Sequence, residues 1–166
     1  MTPRYAERTN VAVGATRNEI ERLLDNHGAK AFVSGWDRDQ KMASVMFDLA
    51  DRRIRFTLSL PDPNDRQFTR TPTGRSRTAA AAKTEHDQAV RQRWRALLLV
   101  IKAKLEAITA GIATVDEEFL AYIVIPGTTS TVSERVGPEL ARSYEVTGYT
   151  PMLALPGGRP EPATDD

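Results

Sequence analysis

The side chains with most to say about chemistry are basic. Arg66, Arg70, Arg75 and Arg77 crowd one segment, interleaved with Phe68 and several threonines. Arg53 and Arg55 alternate with apolar residues just upstream. Arg91, Arg95 and Lys102 follow at helical spacing, with Arg93 and Lys104 on the other flank. A guanidinium fork pairs with phosphate oxygens, a hydroxyl adds a neutral hydrogen bond, and an aromatic ring gives a base a surface to stack on. The combination points to nucleic-acid binding. The candidate contacts are Arg53, Arg55, Arg66, Phe68, Arg70, Arg75, Arg77, Arg91 and Arg95.

Other chemistries find less support. The chain has no cysteine, which excludes disulfides, thiol nucleophiles and cysteine-ligated metals, and its two histidines cannot make a three-histidine metal site. Asp37, Asp39, Asp48 and Asp51 sit beside strand turns. A metal-dependent nuclease needs carboxylates converging on a cation, and Asp48 with Lys41 is the nearest approximation. Solvated turns are the plainer reading. Glu85-His86-Asp87 sets a histidine between two carboxylates, but adjacent helix residues do not face one another. His27, at a helix C-terminus, reads as a favourable terminal charge. Phosphate-loop, dinucleotide, zinc-protease and serine-hydrolase motifs are absent from the sequence. The expectation is a non-enzymatic protein without metal or cofactor.

The charge distribution agrees. Across 166 residues the net charge is only +1. Residues 52–104, however, hold 13 Lys+Arg against four Asp+Glu, a balance of +9, and the remaining chain carries −8. A basic middle in an acidic remainder can face an anion without making the whole chain strongly cationic. It could serve a protein interface equally well. No apolar run reaches the roughly 18 residues of a membrane span, and the first residues lack the apolar segment of a signal peptide. A soluble, cytoplasmic protein with no membrane partner is expected.

Several elements must position these residues. Asn10–Val13 reads as a short strand. Thr16-Arg17-Asn18-Glu19 fits a capping box and opens a helix to about His27, with Gly28 as its stop. Three strands follow. Phe32, Ser34 and Trp36 alternate in the first, and Ala43, Val45, Phe47 and Leu49 share one face of the second. In the third, Ile54, Phe56, Leu58 and Leu60 point one way, and Arg53 and Arg55 the other. Pro61 ends that strand, and Asp62 to Thr78 reads as a long loop. Thr78 caps a helix running to about Ala110. Its apolar stripe is Val90, Trp94, Leu97, Leu98, Ile101, Leu105 and Ile108. Thr114–Glu117 and Thr131–Glu134 are two more capping boxes. The first opens a helix through Ile123 that ends at Pro126-Gly127. The second opens a helix with Val132, Val136, Leu140 and Tyr144 in line, weakened by Gly137-Pro138.

This order of elements comes with recognisable sequence blocks. They are Phe56-x-Leu58-x-Leu60-Pro61-Asp62, the stretch from Phe68 to Arg75, Arg91 to Leu97, Ile101 to Ala107, and Glu117 to Ala121. Together they resemble a family of small uncharacterised proteins encoded by bacteriophages and prophages, over roughly Ile20 to Ile125. The resemblance implies a phage setting inside a host cell: DNA replication, recombination, or interference with host defence.

The expected architecture is α+β: a three-stranded antiparallel meander packed on one long helix, with short flanking helices. Residues 1–156 form a single domain and 157–166 a disordered tail. The expected function is nucleic-acid binding, with single-stranded DNA as a candidate ligand, through a basic loop that merges with the wet strand face into one positive surface. The loop is expected to order only on binding. The alternative function is a protein-binding inhibitor of a host or defence factor. Leu97, Leu98, Ile101 and Leu105 exceed what the sheet can cover, so a homo-oligomer through the long helix is also expected, the alternative being that the two C-terminal helices cover them within one chain.

Overall fold

The structure is a computed structural model that describes residues 4–147, with side chains from 13 to 146. Helix α1 (Arg4–Asn26) leads into strands β1 (Ala31–Asp37), β2 (Met42–Leu49) and β3 (Arg52–Ser59). A short helix α2 (Arg66–Thr69) precedes the long helix α3 (Ala79–Thr109). Helix α4 (Val115–Phe119), a 3-10 turn (Leu120–Tyr122) and helix α5 (Val132–Thr147) complete the described residues. The expected α+β class holds. The sheet is an antiparallel meander in the order β1-β2-β3, with Phe47 opposite both Phe32 and Ile54.

Period-2 alternation sorts the two faces of the sheet. Ala43, Val45, Phe47 and Leu49 of β2 are buried, as are Ile54 and Phe56 of β3. Against this face lies the stripe of α3, where Trp94, Leu97, Leu98, Ile101 and Leu105 are all buried. Thr78 caps α3, its side chain accepting from the Ala81 amide, and Gly111 leaves the helix at φ 71°. That left-handed conformation is cheap only for glycine. Phe119 of α4 closes the core edge-on against Phe47 and Phe56.

Four expectations need correction. Asn10–Val13 is helical, because α1 begins at Arg4. Val13, Ile20 and Leu24 repeat at helical intervals on the core side, so Thr16 is a buried interior residue rather than a cap. The helix expected through Ile123 stops at Phe119. The β-branched run Ile123-Val124-Ile125 prefers extended backbone, and β3 offers it an open edge: the Val124 amide donates to the Arg53 carbonyl at 2.8 Å. A small hairpin follows, with Val124 bridging Thr131 around Gly127 at φ 76°.

The third correction concerns the segment from Asp62 to Thr78, which is folded on itself. Phe68 is buried edge-on to His86 of α3, 5.4 Å between centroids. Thr71 and Arg75 pair across Pro72-Thr73-Gly74, with the Thr71 amide donating to the Arg75 carbonyl at 2.8 Å and Gly74 at φ 85°. This is a three-residue hairpin loop with a glycine bulge. The last correction concerns α3. The sheet is not its only cover, because α1 lies along it and contributes Ile20 and Leu24 to the same core. Helix α5 continues through Pro138; the missing amide there leaves an acceptor on an exposed helix, where water can serve it. The tail from 157 lies outside the described residues.

Ile101 is fully buried between α1 and the sheet. Ile101→Asp places an unpaired charge there and is expected to unfold the monomer, read as loss of the cooperative thermal transition. Phe47→Ala is expected to cost about 3–5 kcal/mol in denaturant titration.

Candidate nucleic-acid interface

The nine candidate residues fall into two groups that the fold treats differently. Arg53 and Arg55 project from β3 on the face away from the core, as their alternation with Ile54 and Phe56 requires. There they meet carboxylates. Arg53 is bidentate on Asp48, with Nε and Nη2 each donating at 2.9 Å. Arg55 donates to both oxygens of Glu134 at 2.6 and 2.7 Å and to the Thr129 carbonyl at 2.6 Å. Its Nε is buried and without a partner among the described residues. Neighbouring Arg52 is bidentate on Asp116 at 2.9 and 3.1 Å, and Lys30 holds Asp51 at 2.7 Å. The groove of about 870 Å³ that these residues line, between the outer sheet face and the 123–129 turn, therefore has its cations matched by carboxylates.

The protonation preferences follow the contacts. The Arg53 fork holds the Asp48 carboxyl below the ordinary carboxylate range. Glu134 is lowered first by the Thr131 amide, which donates to it at 2.9 Å in the expected capping box, and then by Arg55. Lys41 lowers Asp62, and Lys30 lowers Asp51. These arginines staple β3 to the hairpin, α4 and α5.

The second group lies on the other side of the sheet. The loop packs through Phe68 onto α3, which covers the core face. Arg53 is six residues from Ser59, the end of β3 nearest the loop, or about 20 Å along the strand. Arg55 is four residues from the same end, about 13 Å, so the two groups leave β3 on opposite faces of the sheet with Arg55 the nearer to the loop. Within the loop, Arg77 donates to the Gln67 and Arg70 carbonyls at 2.8 and 2.6 Å, and Arg70 donates to Gly74 at 3.2 Å. Both shape the hairpin. Phe68, 5% exposed, anchors the loop and presents no stacking surface. Arg66 and Arg75 are exposed and form no ion pair among the described residues.

Along α3, Arg91 and Arg95 line a second groove, of about 560 Å³, with Thr16 of α1 and with Gln88, Gln92, Ala96 and Leu99. Arg95 and Lys102 are exposed and have no carboxylate partner among the described residues, whereas Arg93 donates to the Ser59 carbonyl at 3.2 Å and Lys104 holds Glu118. The sequence reading passed over Gln88, Gln92 and Leu99. A signal for them was present: from Gln88 to Leu105 the chain has five cations and no acidic residue.

Other candidate chemistry dissolves into structure. His86 sits 3.0 Å from the Pro61 carbonyl, and buried Asp87 accepts from Lys83 at 2.6 Å. Among the described residues no cluster of histidine and carboxylate side chains could hold a metal ion, and no helix is long and apolar enough to cross a membrane. No protein-family model, curated protein or solved structure matches the chain.

The lowered carboxyls set a direction for pH dependence. A group whose folded-state pKa is depressed stabilises the fold above its unfolded value, about 4, and loses that contribution as pH falls through the folded value. Thermal stability is expected to hold from pH 7 to about 5 and to decline below about 4. Glu134→Gln should lower the melting temperature at pH 7 by about 1–3 °C and shrink the acid-side decline.

Proposed function

We propose that the protein is a non-enzymatic nucleic-acid-binding protein whose contact surface is the outer side of α3 together with the hairpin of the 62–78 segment. One observation carries the reading: the basic residues divide into those matched by acids and those left open. Arg52, Arg53 and Arg55 are bound to carboxylates, while Arg66, Arg75, Arg95 and Lys102 have none among the described residues. Phosphate is a partner that such open guanidinium groups fit. The resemblance to phage-encoded proteins supports a role in DNA replication or recombination in the host cytoplasm.

Fluorescence anisotropy with labelled oligonucleotides, titrated with salt, tests this. Affinity is expected to fall steeply with salt, and Arg95→Ala, or Arg66→Ala with Arg75→Ala, should reduce the slope by about 0.7–0.9 for each phosphate left unneutralised. Arg53→Ala should leave the slope unchanged. No binding, or binding indifferent to salt, would overturn the reading.

A second reading, a protein-binding inhibitor of a host or defence factor, is favoured by α5. Val136, Leu140 and Tyr144 lie along one face of that helix and are 46%, 55% and 60% exposed. In that case Leu140→Asp would abolish capture of a host protein without altering oligonucleotide affinity.

A further inference from the structure

We infer that the ligand of this surface is duplex DNA, read by the outer ridge of α3 lying in a groove, rather than a single strand; the inference rests on the nucleic-acid reading above. Single-strand binders stack successive bases on exposed aromatic rings. The aromatics nearest the basic residues in sequence, Phe68 and Trp94, are only 5% and 3% exposed. Exposed Trp36 and Tyr144 belong to β1 and α5, and Arg38 already lies 4.4 Å over the Trp36 ring. Among the described residues the basic side of α3 therefore has no platform for a splayed base.

It does have the chemistry of a groove reader. Gln88, Gln92, Arg95, Leu99 and Lys102 are all exposed and recur at intervals of three, four or seven residues, with half-exposed Arg91 beside them. Residues at those intervals share a helix side. Glutamine pairs with the adenine edge, arginine with the guanine edge, and an apolar side chain meets the thymine methyl, all in the major groove. From Gln88 to Lys102 the ridge spans about 21 Å. At 3.4 Å per base pair that is about six pairs. No carboxylate lies between Gln88 and Leu105, and exposed Glu85 and Glu106 continue the same intervals and bound the ridge at its two ends.

The test is anisotropy of the full chain with a labelled 20-base-pair duplex and with each of its separated strands at one salt concentration, followed by selection from a randomised duplex pool. The duplex is expected to bind about tenfold or more tightly than either strand, and selection should enrich a site of about six base pairs. Gln88→Ala with Gln92→Ala, at exposed positions where alanine favours helix, should lose the enriched site yet keep salt-dependent binding. Single strands binding as tightly as duplex would overturn this inference and leave the nucleic-acid reading intact. So would a duplex preference whose selected site survives the glutamine substitutions, since the ridge would then not be the reader. Failure of both forms to bind would overturn the two together.

Discussion

A helix of 31 residues is laid on a sheet whose strands are only seven or eight residues long. At 1.5 Å per residue α3 extends about 46 Å, while an eight-residue strand reaches about 27 Å. Much of the remaining architecture answers this mismatch. Towards the N-terminal end of α3, the 62–78 segment folds back and seats Phe68 on His86. Towards the other end, α4 brings Phe119 onto Phe47 and Phe56, while Lys104 ties α3 to Glu118. Along the flank α1 adds Ile20 and Leu24. Without these three covers the stripe from Val90 to Ile108 would leave a large apolar area in water.

The same constraint divides the charges. On the outer sheet face Arg53 meets Asp48 across the β2–β3 pair, while Arg52 and Arg55 meet Asp116 and Glu134 on the later segments that pack beside β3. Exposed pairs of this kind contribute little stability each. Their effect is positional: Arg55 joins β3 to the 123–131 hairpin and the start of α5. On the far side of α3, Arg95 and Lys102 are exposed and have no carboxylate partner among the described residues. A charge count along residues 52–104 cannot distinguish these environments, because pairing is decided by which strand or segment lies over each face.

Legibility in the sequence follows how local each cause is. Period-2 burial in β2 and β3, the stripe of α3 and the caps at Thr78, Thr114 and Thr131 depend on neighbours within a turn or a strand, and all were readable. Thr16 misled because a hydroxyl three residues before a glutamate matches a cap wherever it occurs, and only the place of Val13 in the core shows that the helix continues upstream. Ile123 misled because the edge of β3 that draws it out of helix is about 70 residues away in sequence. Phe68 misled for the same reason: its burial depends on His86, and an aromatic among arginines looks like a stacking surface until its partner is known. The candidate site was legible in composition and not in membership. Arg66, Arg75 and Arg95 are exposed, while Arg70 and Arg77 hold the hairpin's own backbone.

Core and ridge are coupled through the period of one helix. Trp94 and Ile101 are seven residues apart and buried, as is Asp87, seven before Trp94. Gln88, Arg95 and Lys102 each follow one of these by a single position, and all three are exposed. Seven residues fall about 20° short of two full turns, so each series stays on one side of the helix over this length. Rotating α3 far enough to turn the ridge away would pull Trp94 and Ile101 out of the core. Their burial therefore fixes where the open cations point, and the sheet and α1 together aim a surface that neither of them forms. The rotational setting of α3 is a consequence of packing, so the orientation of the basic ridge follows from the core.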